Sequence, residues 1–117
     1  MLLVDDEPIN LEIAQMLLED AGLTPDLAED GEAAVEKALA AAYDLILMDM
    51  QMPKRDGVEA CRLIRQQSGY RPTIVAMTAN AFAEDRARCL EAGMDDFMSK
   101  PIDPELFFAR LCQWLQR

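Results

Sequence analysis

The sequence contains no histidine, and that absence leaves a mixed Cys/His zinc set or a Cys-His nucleophile pair without its imidazole. Its three cysteines, Cys61, Cys89 and Cys112, are odd in number and widely spaced. They read as small buried helix residues in a reducing compartment. No apolar run approaches the roughly 20 residues that a membrane-spanning helix needs. The start, Met1 to Asp6, lacks a basic region followed by a long apolar stretch. The expected location is cytoplasmic, as a soluble domain or as the cytoplasmic part of a membrane-bound protein. Basic residues are also scarce, with 11 Lys and Arg against 22 Asp and Glu, for a net charge of −11. Such a surface repels phosphates and anionic lipids, so neither nucleic acid nor a membrane is an expected partner of this segment. There is no Gly-x-x-x-x-Gly-Lys and no Gly-x-Gly-x-x-Gly after the first apolar run, which sets a nucleotide-binding domain aside. With no repeat, low-complexity stretch or Pro/Gly/Ser-rich linker, residues 1–117 read as one domain.

What is present is an alternation. Leu2-Leu3-Val4, Leu45-Ile46-Leu47-Met48 and Ile74-Val75-Ala76-Met77 are apolar without in-out alternation, as strands covered on both faces are. Thr24 to Ala28, interrupted by Pro25 and Asp26, and the short Phe97-Met98 fit peripheral strands. Helical stretches separate these runs. The first spans Pro8 to Ala21, with Ile9, Ile13, Met16 and Leu17 on one face and Gly22 as the stop. The second follows the N-cap Asp30 to Ala42, and the third spans Gly57 to Gln67, with Val58, Cys61, Leu63 and Ile64 apolar. The fourth spans Ala83 to Ala92 and stops at Gly93. The last starts at the N-cap Asp103 with Pro104 in the first turn, ahead of Leu106, Phe107, Leu111, Trp114 and Leu115. Five strand-helix pairs predict an α/β fold: a doubly wound, five-stranded parallel sheet of order 2-1-3-4-5 with five helices, flavodoxin-like.

In such sheets the chemistry stands beyond the carboxyl ends of the strands. There the sequence places Asp5 and Asp6, Asp49, Thr78 and Lys100, each polar directly after apolar residues. The first three belong to adjacent strands and repel one another. An oxygen-only set of this kind suits a hard cation such as Mg²⁺, with Mn²⁺ as a substitute. A carboxylate beside a cation and a lysine is placed to attack phosphorus and to form an acyl phosphate.

The pattern Val4-Asp5-Asp6-Glu7, Met48-Asp49-Met50-Gln51-Met52-Pro53 with Asp56-Gly57, Met77-Thr78-Ala79 and Ser99-Lys100-Pro101 resembles the response regulator receiver domains of two-component systems over essentially the full chain. The resemblance implies phosphorelay signalling, with Asp49 accepting a phosphoryl group from a phosphohistidine. It implies Mg²⁺ on Asp5, Asp6, Asp49 and the main-chain carbonyl of Gln51, and Lys100 paired with the phosphoryl group. Thr78 and Phe97 would be the switch, with Gln51 and Asn80 tuning the lifetime of the acyl phosphate. Neither tuning residue supplies a charged base, which implies a long-lived phosphoryl state. An unchanged decay rate in Asn80→Glu or Gln51→Asn would count against that. The runs Met77 to Phe82 and Gly93 to Asp103 look most like the receivers of hybrid sensor histidine kinases. Implied partners are a histidine kinase, a histidine phosphotransfer protein, or both. The domain would be a monomer or a weak dimer through the fourth helix, fifth strand and fifth helix. It would be a switch, not an enzyme, catalysing only its own phosphorylation and dephosphorylation.

Each residue also has a plainer role. Asp5 and Asp6 suit the positive end of the Pro8 helix, Asp49 a turn, Lys100 a solvated surface and Phe97 a core. Met48, Met50, Met52 and Met77 suit packing. An aspartyl-nucleophile phosphohydrolase is disfavoured because Gln51, not a second aspartate, stands two residues after Asp49. A pseudo-receiver that only binds a partner would not need all five polar positions filled.

Overall fold

The structure, a computed structural model, describes residues 1–41, 43–49, 57–67, 72–78, 87, 90–99 and 103–115, with the backbone alone at 58, 78, 99 and 115. The strands are β1 (Leu2–Val4), β2 (Asp26–Ala28), β3 (Leu45–Asp49), β4 (Thr73–Thr78) and β5 (Asp96–Ser99). They form one parallel sheet of order β2-β1-β3-β4-β5, as the alternation predicted. Between them lie α1 (Pro8–Asp20), α2 (Gly31–Ala40) and α3 (Gly57–Gln67), and the C-terminal helix (Pro104–Leu115) ends the described chain. Of the predicted fourth helix, Ala87, Leu90 and Glu91 are helical and the remainder, apart from the buried Ala92, lies outside the described residues.

The three central strands are apolar between their ends because both faces are covered. Leu2, Val4, Ile46, Met48, Ile74 and Ala76 point into one layer with Ala34, Ala38, Ala60, Cys61 and Ile64 of α2 and α3. Leu3, Leu45, Leu47, Val75 and Met77 point into the other, with Leu11, Ala14 and Leu18 of α1 and Phe107, Leu111 and Trp114 of the C-terminal helix. The predicted caps are present where the side chains are short acids. Asp30 accepts the Ala33 N–H at 2.8 Å, and Asp103 accepts the Glu105 N–H at 3.1 Å. Gly22 (φ 85°) follows α1, in a left-handed conformation that suits glycine.

Several sequence expectations are corrected. The face of α1 that meets the sheet is Leu11, Ala14 and Leu18, whereas Ile9, Ile13 and Met16 are 70%, 49% and 59% exposed. Both sets recur at helical spacing, and the small Ala14 allows the close approach that the sheet requires. Leu106 is also exposed, as is Cys112, while Cys61 is buried and Cys89 lies outside the described residues. Asp5 and Asp6 do not cap α1: the N-cap is Glu7, which makes no side-chain cap bond. β2 is shorter than predicted, because Pro25 keeps its first two residues out of the ladder.

The amino end of β4 and β5 is clamped by Arg65 of α3. Its Nε donates to the Gly93 carbonyl (3.0 Å), Nη1 to the Pro72 carbonyl (2.7 Å) and Nη2 to Asp95 (2.8 Å). Asp95 exchanges bonds with Ile74 in turn, its own N–H reaching the Ile74 carbonyl (2.8 Å) and its carboxylate accepting the Ile74 N–H (2.9 Å). This closure holds β5 in register, so that Thr78 stands opposite Ser99 at the other end.

Candidate functional site

The register of the sheet assembles the site. Val4 pairs with Met48, so the next residues, Asp5 and Asp49, stand side by side at the carboxyl rim. Asp6 follows in the loop that leads to α1. One carboxylate oxygen from each of the three lies within 4.8 Å of the others. Asp5 and Asp49 are buried, at 3% and 4% exposure, and Asp6 is open to solvent. The Asp5 main chain is tied to β2 through the Ala28 carbonyl (3.1 Å), and its Oδ1 accepts the Glu7 N–H at 3.0 Å. Its carboxylate is therefore oriented before any ligand arrives.

At 4.8 Å each pair of these carboxylates, if charged, repels by about 3.5 kcal/mol at an effective dielectric constant near 20. Oxygen-only donors, two buried and one reachable from solvent, fit a hard divalent ion that keeps several waters. Soft-metal and zinc chemistry finds no thiolate or imidazole in the set.

The sequence profile of the response regulator receiver domain matches residues 1–112. The chain belongs to that receiver family. The receiver is 44% identical over 106 residues to the histidine-protein kinase BarA of Escherichia coli, covering 90% of this chain but 12% of BarA. It thus spans about one eighth of the length of BarA. Among solved structures it superimposes on the receiver domain of the sensor histidine kinase PA1611 of Pseudomonas aeruginosa with a TM-score of 0.91 and 41% identity, covering 99% of this chain and 96% of that one. That structure has a magnesium ion coordinated in its active-site cleft. It also matches the receiver domain of Ssk1 of Saccharomyces cerevisiae, crystallised with the histidine phosphotransfer protein Ypd1, at a TM-score of 0.90 and 29% identity over 97% of this chain and 86% of that one. The role of such a receiver is phosphorelay signal transduction, and the phosphohydrolase and pseudo-receiver readings are not favoured. Among the described residues no helix of the receiver is long and apolar enough to cross a membrane.

The other expected site residues fall unevenly. Thr78 ends β4, one residue beyond Met77, which pairs with Asp49, and only its backbone is described. Gln51, Asn80 and Lys100, like Met50 and Met52, lie outside the described residues. Phe97 lies in β5, partly buried against the layer that holds Leu2, Val4 and Met48.

Sequence reasoning missed two features. One is the exposed stripe Ile9, Ile13 and Met16, which runs along α1 from the residues just after Asp6. The other surrounds Asp96, the first residue of β5. Its Oδ2 accepts from Arg110 Nη1 (3.0 Å) and Trp114 Nε1 (2.9 Å), and its Oδ1 accepts the Phe97 N–H (2.8 Å). Burial alone would raise the Asp96 pKa, but the bonds from Trp114, the Phe97 amide and Arg110 outweigh it and hold the carboxyl below its usual range. No spacing in the sequence announces a strand-to-helix contact 18 residues long.

Proposed function

We propose that the receiver spans residues 1–117 and that Asp49 is its phosphoacceptor, charged by a phosphohistidine of a histidine kinase or histidine phosphotransfer protein. The observation that carries this reading is the buried Asp49 carboxylate at the end of β3, within 4.8 Å of the Asp5 and Asp6 oxygens. An Asp49 oxygen bonds to phosphorus while the phosphorus–nitrogen bond of the phosphoimidazole breaks, its electron pair leaving with the ring nitrogen. The product is an acyl phosphate. Asp5, Asp6, Asp49 and the Gln51 carbonyl are the residues that would hold Mg²⁺ or Mn²⁺. When bound, the ion supplies positive charge against the oxygens of the transferring group. Lys100 is assigned to pairing with the phosphoryl group, Thr78 and Phe97 to the switch, and Gln51 and Asn80 to the lifetime of the product.

The α1 stripe supports a place for the donor. Ile9, Ile13 and Met16 are exposed on the helix that follows Asp5 and Asp6, and offer an apolar face to a helical partner that delivers its histidine to the rim. The face formed by β5 and the C-terminal helix is left for output or weak dimerisation. Similarity to BarA and PA1611 supports a place within a hybrid kinase on the cytoplasmic side of a membrane.

The test is incubation with acetyl phosphate and Mg²⁺, followed by intact mass. Wild type gains one phosphoryl mass, and the gain is lost with EDTA and in Asp49→Asn. Folded wild type that gains nothing, beside an active receiver as control, overturns the assignment.

A further inference from the structure

Among the described residues β5 is an edge strand paired with β4 alone, and its residues look both ways. Phe97 packs into the layer of Leu2, Val4 and Met48, and Met98 packs into the opposite one with Phe107, Leu111 and Trp114. The Asp96 side chain lies on the Met98 side of the strand, toward the C-terminal helix, and reaches Phe97 through the Phe97 backbone N–H. One of its oxygens holds the Phe97 N–H, and the other holds Arg110 and the last turn of the C-terminal helix through the Trp114 indole. Trp114 is only 2% exposed, so an indole N–H released from Asp96 finds little water. Leaving a buried donor unmet costs about 1–3 kcal/mol, which is enough to make held and released arrangements distinct.

We propose that the Asp96 carboxylate is a joint through which the phosphoryl state of Asp49 reaches the C-terminal helix, a shift of the β5 backbone at the Phe97 N–H turning the carboxylate and freeing Trp114 and Arg110. This rests on the phosphoacceptor reading and adds its regulation. Because coupling is reciprocal, weakening the joint favours the phosphorylated form. Trp114→Phe deletes the donor and keeps a smaller aromatic ring, the lost volume at this buried site lowering stability.

The experiment follows hydrogen exchange across the C-terminal helix with and without acetyl phosphate and Mg²⁺, with intact mass counting phosphoryl groups in the same samples. In wild type, phosphorylation speeds exchange in the last turn. In Trp114→Phe, exchange is fast already, phosphorylation adds little, and the ratio of phosphorylated to free protein at fixed acetyl phosphate rises about fivefold. Asp96→Asn, which keeps an acceptor oxygen without the charge, moves the same way to a smaller extent and serves if Trp114→Phe does not fold. A wild-type mass gain with unchanged helix exchange overturns the joint and leaves the phosphoacceptor standing. So does a folded variant whose phosphorylated ratio equals that of wild type, since a merely structural tie would lower stability alone. A folded wild type that gains no mass removes both.

Discussion

Replacing Asp49 with asparagine should make the metal-free protein more stable. The substitution keeps shape and removes one of three carboxylates whose oxygens lie within 4.8 Å of one another. Two of the three pairwise repulsions disappear. Each is about 3.5 kcal/mol at an effective dielectric constant of 20 and about 0.9 kcal/mol in bulk water. Since Asp6 is exposed and Asp5 is oriented by the Glu7 N–H, a net relief of about 2 kcal/mol is expected between those limits. For a domain of this size that is a rise in Tm of roughly 5–10 °C. Thermal unfolding by circular dichroism in EDTA at low salt measures it. Mg²⁺ should raise the wild-type Tm and narrow the gap, and added salt should narrow it too by screening. An Asp49→Asn protein that melts at or below wild type in EDTA would refute the electrostatic account of this rim.

Acidification should reveal Asp96. Its folded pKa lies below the ordinary value near 3.9, so its contribution is present above about pH 3.9 and is lost as pH falls through the folded pKa. Urea midpoints of Asp96→Asn should therefore fall less steeply between about pH 4 and 2 than those of wild type, and parallel profiles would contradict the assignment. Ile13→Ser should change stability by no more than about 0.5 kcal/mol and leave acetyl phosphate uptake intact, because the side chain is half exposed. Transfer from a phosphorylated histidine phosphotransfer protein should slow about tenfold, equivalent to ~1.4 kcal/mol, and an equal rate would move the docking surface elsewhere. Gly93→Ala should destabilise by about 1–2 kcal/mol or more, because φ is 99° and the new Cβ would stand 3.0 Å from the Arg65 side chain. An unchanged urea midpoint would count against the clamp.

The strands were legible because burial on both faces writes itself as unbroken apolar runs. Leu2–Val4 was found to the residue, and Leu45–Asp49 and Thr73–Thr78 to within one residue at either end. Strand order then placed Asp5, Asp6 and Asp49 together, since a polar residue directly after a buried strand has only the rim to occupy. The orientation of α1 was not legible. Ile9-Ile13-Met16 and Leu11-Ala14-Leu18 are both helical stripes, and the second turned inward because the small Ala14 at its centre lets the helix approach the sheet. Neither Asp96 with Trp114 nor Arg65 with Gly93 and Pro72 leaves a local mark, since each joins segments that meet only after the chain has packed.

The far flank of the sheet carries a different consequence. Asp26 and Ala28 face β1, through the bonds of the Asp26 N–H to Met1 and the Asp5 N–H to Ala28, which turns the Leu27 carbonyl toward the open edge. There the Lys37 ammonium occupies it, while the Tyr43 hydroxyl covers the neighbouring Asp26 carboxylate at 2.6 Å. A bare strand edge is a template on which a second chain can zip, and this one is three residues long with its outward acceptor taken. Copies that meet on that side therefore find a short edge whose outward carbonyl is already engaged. Neutralising Lys37, by acetylation for instance, would weaken that guard and favour self-association without touching the acidic rim.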